Sequence, residues 1–174
     1  MLEAGLLLRA VEFAAVKHRD QRRKDVERSP YINHPIRVAS TLWTHGVHEP
    51  HVIVAAILHD TIEDTETTRE EIAAQFGEPV AAIVDEVTDD KTQPKHHRKQ
   101  RQIDHAPELS NAAKLVKLAD KICNLRDLND SPPPDWSLER KREYFDWAAA
   151  VVAGVRGVHG ELERAFDAQY ARKP

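Results

Sequence analysis

The sequence predicts an all-α bundle. Apolar residues recur at helical spacing along almost the whole chain, no segment of strand length alternates with period two, and capping residues, glycines and prolines punctuate the apolar stretches at helix-length intervals. The first helix is expected from about Leu2 to His18, with Leu7, Val11 and Ala14 along one stripe, ahead of the polar segment Arg19 to Pro30. A second begins near His34, because Asn33 can cap and Pro35 suits a first turn, and Gly46 stops it after His45. From Pro50 to about Asp60 the chain is apolar nearly all round, with Val52 to Leu58 uninterrupted, which marks a central helix buried by its neighbours.

Thr68 caps a short helix ending at Phe76, and another runs from Glu78 to about Val87 behind Gly77. The connection Thr88 to Pro94 leads into a charged helix from about Lys95 to His105. Ser110 caps a long helix through Leu115, Leu118, Ala119, Ile122 and Leu125. Pro132, Pro133 and Pro134 form a stiff connector that cannot be helical. Ser137 then opens the penultimate helix, and a last one from about His159 to Tyr170 is expected at the periphery.

At 174 residues the chain is expected to be one domain over residues 1–174, with its motifs in about 10–150 and peripheral helices in about 137–170. Apolar residues make up 41% and charged residues 31%, enough for a core and too polar for a membrane protein. The longest apolar run falls far short of the ~20 residues that cross a bilayer. The N-terminus lacks a basic lead-in and a small-residue cleavage site, so no signal peptide and a cytoplasmic location are expected. Cys123 is the single cysteine, which excludes an internal disulfide and a thiolate cluster; a bound metal would need nitrogen and oxygen ligands.

The formal net charge of −4 argues against a general nucleic-acid binder. Its distribution says more. Basic residues gather between Lys17 and Arg28 and again between Lys91 and Arg101, and an acidic stretch from Asp60 to Asp90 lies between them. That separation could set a metal-binding carboxylate cluster beside a phosphate-binding rim.

The chemistry concentrates at His59-Asp60 followed by Glu63-Asp64, where helical spacing puts all four side chains on one face. Three carboxylates and an imidazole at the end of an apolar helix cost several kcal/mol unless a cation offsets them. Two further ligands are available: His34 at a helix start and Asp120 among Leu115, Leu118, Ala119 and Ile122, although an ion pair with Lys117 or Lys121 is the structural alternative for Asp120. Two imidazoles and two carboxylates suit a first-row divalent ion with water in its open positions.

The run Tyr31-Ile32-Asn33-His34-Pro35, the segment from Ala56 to Asp64, and Lys114 to Asp120 resemble the H…HD…D pattern of HD-domain phosphohydrolases. Arg22-Arg23-Lys24-Asp25, Glu86 to Thr92 and Asn124 to Leu128 narrow the resemblance to the hydrolase domain of RelA/SpoT homologues in its single-domain, small alarmone hydrolase form. The one change seen near the acidic pair, Ile62 in place of a common Val or Pro, has no chemical consequence.

The resemblance implies an HD-domain helical bundle in which His34, His59, Asp60 and Asp120 hold Mn²⁺ while Glu63 and Asp64 act on water and the scissile phosphate. It also implies that Arg23, Lys24, Tyr31, Asn124, Arg140 and Tyr144 line a nucleotide pocket, and Lys95 could add a phosphate contact. For Tyr144 core packing is an equal alternative; Trp136 and Trp147 are assigned to the core, and Cys123 to a buried apolar role. The implied reaction removes the 3′-pyrophosphate of guanosine tetra- or pentaphosphate, without the synthetase activity of longer homologues. Rival readings are removal of the NADPH 2′-phosphate, a broader HD-type nucleotidase, and a non-catalytic alarmone-binding module. Zn²⁺, Ni²⁺ or Co²⁺ would also fit the ligands.

Overall fold

The computed structural model describes residues 4–174, so the expected helix start at Leu2 lies outside the described residues. Among the described residues there is no strand, only an isolated antiparallel bridge between Arg22 and Pro30 that closes the basic loop. The helices are α1 (Ala4–Lys17), α2 (Asn33–Thr44), α3 (Pro50–Leu58), α4 (Thr61–Asp64), α5 (Arg69–Phe76), α6 (Glu78–Val87), α7 (Lys95–His105), α8 (Asn111–Asp130), α9 (Leu138–Ala153) and α10 (Gly160–Tyr170). Among the described residues no helix is long and apolar enough to cross a membrane.

Helix α3 is the hub, touching α1, α2, α6 and α8, and every residue from Val52 to Leu58 is buried. An apolar surface on all sides can be removed from water only by neighbours on all sides. The caps behave as their chemistry requires: the Thr68, Ser110 and Ser137 hydroxyls accept from the backbone N–H of Glu71, Ala113 and Arg140. Gly46 and Gly77 adopt φ of +87° and +90°, where a side chain would be strained.

Two expectations are corrected. Asn33 does not cap α2 but is its first residue; the Asn33 and His34 N–H groups donate to Pro30 and Tyr31 carbonyls at 3.2 and 2.9 Å, so a preceding turn winds into the helix and replaces a side-chain cap. The C-terminal helices are not peripheral. Phe145 on α9 and Phe166 on α10 are fully or almost fully buried in the same apolar cluster as α3, and α10 lies along α8. The polar composition of these helices hid a narrow apolar stripe.

Replacing Phe145 by Ala therefore costs about 3–5 kcal/mol of unfolding free energy by denaturant titration. A change below ~1 kcal/mol, the level of a surface substitution, would return α9 to the periphery.

Candidate active site

Three mutually packed helices bring the histidines and aspartates together. His34 lies in the first turn of α2, His59 follows α3 directly and Asp120 sits midway along α8. One ligand atom from each of His34, His59 and Asp120 lies within 4.8 Å of the others. Asp60 borders the same space, its Oδ2 standing 3.1 Å from His59 Nε2 and 3.9 Å from His34 Nε2. Both imidazoles are buried, at 3% and 5% exposure.

The histidine hydrogen bonds test whether a cation fits. His59 Nδ1 donates to the Ala56 carbonyl at 2.8 Å, which turns Nε2 toward the carboxylates, and Nε2 is buried without an aligned hydrogen-bond partner. An imidazole fixed by a backbone carbonyl through one nitrogen and presenting the other to acids has the arrangement of a metal ligand. Outer contacts hold the carboxylates. Tyr31 donates to Asp60 Oδ2 at 2.6 Å, Asn124 donates to Asp120 Oδ1 at 2.8 Å, and Lys121 reaches Asp120 Oδ2 at 3.2 Å. Lys121 is thus the pairing partner foreseen as an alternative for Asp120, and Lys117 instead donates to the Val87 carbonyl at 3.1 Å. The residues fit a divalent ion: nitrogen and oxygen donors only, excess negative charge, and an orphaned imidazole nitrogen facing inward.

Charge is tightly coupled here. Burial alone would lower the His59 pKa, but Asp60 and Asp120 outweigh it and raise it to about 10. Burial opposes ionisation of Asp60 too, yet His59 and His34 hold that carboxyl well below its ordinary range. Without a cation, a proton on His59 is the local counter-charge.

Glu63 and Asp64 part company, which corrects the expectation of one shared face. The chain leaves α3 at His59, bends at Asp60 (φ −100°, ψ −2°) and rewinds as the four-residue α4. Glu63 Oε2 accepts from the Asp89 N–H at 3.2 Å, and its Oε1 is 3.6 Å from Arg98. Burial, then repulsion from Asp60 and Asp89, raises its pKa to about 7. Asp64 accepts from Gln21 Nε2 at 2.8 Å and pairs with Lys91 through the other oxygen.

Beside this cluster opens a cavity of about 760 Å³ bordered by Arg23, Asn33, His34, Asn124, Asp127 and Tyr144, among others. A second, of about 530 Å³, carries the cations Lys95, Arg98, Lys99 and Arg140. Lys24, Trp136 and Tyr144 border both. Trp136 and Trp147, assigned to the core, pack against its edge and border the second cavity as well: both are only partly buried, Arg140 lies 4.2 Å over the Trp136 ring and Lys121 4.4 Å over Trp147. Tyr144 is half-buried on the cavity wall, Tyr31 supports Asp60 without bordering either cavity, and Cys123 is buried against the Thr41 hydroxyl at 3.4 Å.

Sequence reasoning missed Asp127, which holds Arg23 at 2.7 Å and Arg37 as well. Its position one turn after Asn124 on α8 was the available signal. Gln21 and Lys91 carried no signal, because their link to Asp64 is purely tertiary.

With this geometry in view, the comparisons with known proteins fall into place. Residues 10–146 match the HD domain family. The chain belongs to that family. Within it, the chain is 57% identical to the human guanosine-3′,5′-bis(diphosphate) 3′-pyrophosphohydrolase MESH1, over 94% of this chain and 92% of the relative. It is 45% identical to the MESH1 of Drosophila melanogaster, over 92% and 90% of the two chains. A solved structure described as a metazoan ortholog of SpoT that hydrolyzes ppGpp superposes with a TM-score of 0.95 at 42% identity, covering 99% of this chain and 97% of that one. The cluster of His34, His59, Asp60 and Asp120 thus sits in a fold shared over 99% of this chain with that solved structure.

The proton on His59 makes a pH test of the metal-free protein. With a folded pKa of about 10 against about 6.5 unfolded, His59 contributes stability in full below pH 6.5, and that stability drains away as pH rises toward 10. Denaturant unfolding across this range should therefore lose more stability in the wild type than in His59→Gln; parallel curves would contradict the coupling.

Proposed function

We propose that this HD-domain chain hydrolyses the 3′-pyrophosphate of guanosine 3′,5′-bis(diphosphate) to GDP and pyrophosphate, and of the pentaphosphate to GTP and pyrophosphate. One observation carries the reading: buried histidines and partly buried aspartates converge on an inward-facing imidazole nitrogen, beside two cavities that present lysines and arginines among other groups, in a chain 57% identical to an enzyme named for that reaction. His34, His59, Asp60 and Asp120 would hold the divalent ion, Mn²⁺ in our reading. Bound there, it supplies Lewis acidity and a water acidified toward neutral pH.

The protein's own groups divide the remaining work. Glu63, with a pKa near 7, is the carboxyl suited to take a proton and return it at neutral pH, and Oε1 is the oxygen not engaged by the Asp89 N–H. Asp64, held through both oxygens, orients the attacking water. Attack at the phosphorus next to the ribose 3′-oxygen breaks the P–O bond, and the 3′-oxygen takes a proton as it leaves.

The two cavities match a nucleoside with two charged arms. Arg23, fixed by Asp127 and lying 5.6 Å from the Tyr31 ring centre, offers a flat guanidinium to the base. Asn124 and Tyr144 border the same cavity, while Lys24, Lys95 and Arg140 supply charge to the phosphates. The net charge of −4 disfavours a nucleic-acid polymer, and the lysines and arginines that border the cavities are the local charges that can hold a small anion.

Purified protein stripped of metal and resupplied with Mn²⁺ is expected to convert ppGpp to GDP and pyrophosphate, identified by chromatography, and Asp60→Ala to lose turnover. A large kcat/KM preference for NADPH, with release of its 2′-phosphate, would overturn the substrate assignment. Glu63→Gln should lower kcat by about 10²–10⁴-fold with Mn²⁺ affinity retained; a kcat within threefold of wild type would remove Glu63 from proton transfer.

A further inference from the structure

One of the two groups that hold Asp64 comes from the loop that follows α1. Gln21 and Asp64 are 43 residues apart, and the Gln21 amide nitrogen donates to Asp64 Oδ2 at 2.8 Å. A carboxylate only accepts, so this contact fixes which way the amide faces: its oxygen points at His18 Nδ1, 2.7 Å away, and His18 must donate there. His18 is 2% exposed and its Nε2 has no partner, so the ring's one polar engagement is to hold Gln21.

The same short segment also holds the neighbouring acid. The Tyr31 N–H donates to the Gln21 carbonyl at 3.1 Å, the Gln21 N–H to the His18 carbonyl at 2.9 Å, and the His18 and Tyr31 rings lie 4.9 Å apart. Tyr31 then donates to Asp60. One buried unit thus reaches both acids, with Tyr31 on Asp60 and Gln21 on Asp64.

We propose that Gln21 is a positioning residue for the hydrolytic reaction, its amide setting the orientation of the Asp64 carboxylate while His18 sets the orientation of the amide. The assignment rests on the hydrolase reading given above. Lys91, the other partner of Asp64, is about half exposed at 48% and belongs to a connecting segment, so it supplies charge with little directional constraint. The amide is partly buried, is neutral, and is itself held by the buried His18. It can hold the carboxylate in one plane without adding positive charge that would weaken it as a hydrogen-bond acceptor for water. A displacement of about 1 Å in such a group costs on the order of 10²-fold in rate.

The test measures ppGpp turnover, Mn²⁺ affinity and thermal melting for wild type, Gln21→Met and Gln21→Glu. Gln21→Met keeps the length and removes the donor; Gln21→Glu keeps the shape and turns an acceptor on Asp64. Both are expected to lose about 10–100-fold in kcat with KM within about threefold of wild type, and Gln21→Met to keep Mn²⁺ affinity within about threefold; the unpaired His18 donor in Gln21→Met and the added carboxylate in Gln21→Glu also lower the melting temperature by roughly 2–8 °C. If either variant retains wild-type kcat, or if KM and Mn²⁺ affinity of Gln21→Met worsen as much as kcat does, Gln21 is a structural residue and the proposal fails. If the wild type itself does not turn over ppGpp, the hydrolase reading falls first and the assignment with it, a result distinct from active wild type and unaffected variants.

Discussion

Negative charge buried beside two imidazoles is the constraint on which the rest of the structure depends. Asp60 and Asp120, their side chains 18% and 13% exposed, stand next to the buried His34 and His59, and ionised groups so far removed from water are tolerated only with a counter-charge. In the metal-free chain a proton on His59 and the ammonium of Lys121 take that part. A divalent ion does so more completely, and the orphaned nitrogen of His59 is already directed where such an ion would sit.

The fold can be seen as the device that keeps these groups from escaping the problem by moving apart. Helix α3 is enclosed by α1, α2, α6 and α8, so the backbone that ends in His59 and Asp60 cannot shift without opening the core. Helix α8 carries Asp120, Asn124 and Asp127 on successive turns and thereby joins the cluster to the arginines of the larger cavity. The acids to which we assign proton exchange and water orientation lie just beyond, on the four-residue α4, where different neighbours set different environments for Glu63 and Asp64.

Much of this was legible in the sequence because the signals were local. Helical periodicity, the Thr68, Ser110 and Ser137 caps and the Gly46 and Gly77 stops are read within a few residues, and they recur in the structure. The grouping of His34, His59 and Asp120 rested on two signals together, the cost of acids and an imidazole at the end of the apolar α3 and the resemblance to the HD-domain pattern, with an ion pair left open for Asp120. What escaped was tertiary. Asn33 looked like a cap because nothing local reports the turn at Pro30 to Ile32 that replaces it. Trp136 and Trp147 looked like core residues by composition and do pack against its edge, but cations stacked on their faces make them cavity walls as well. The shared face expected for Glu63 and Asp64 assumed a continuous helix, and the bend at Asp60 breaks it. The buried stripe of α9 and α10 was masked by a polar average.

The central claim is that a cation completes the buried cluster, and calorimetric titration of metal-stripped protein with Mn²⁺ tests it most directly. The account predicts saturable binding of one ion per chain, accompanied by release of the His59 proton and weakened severely in Asp120→Asn. Absence of saturable binding, or equal affinity in wild type and that variant, would contradict it.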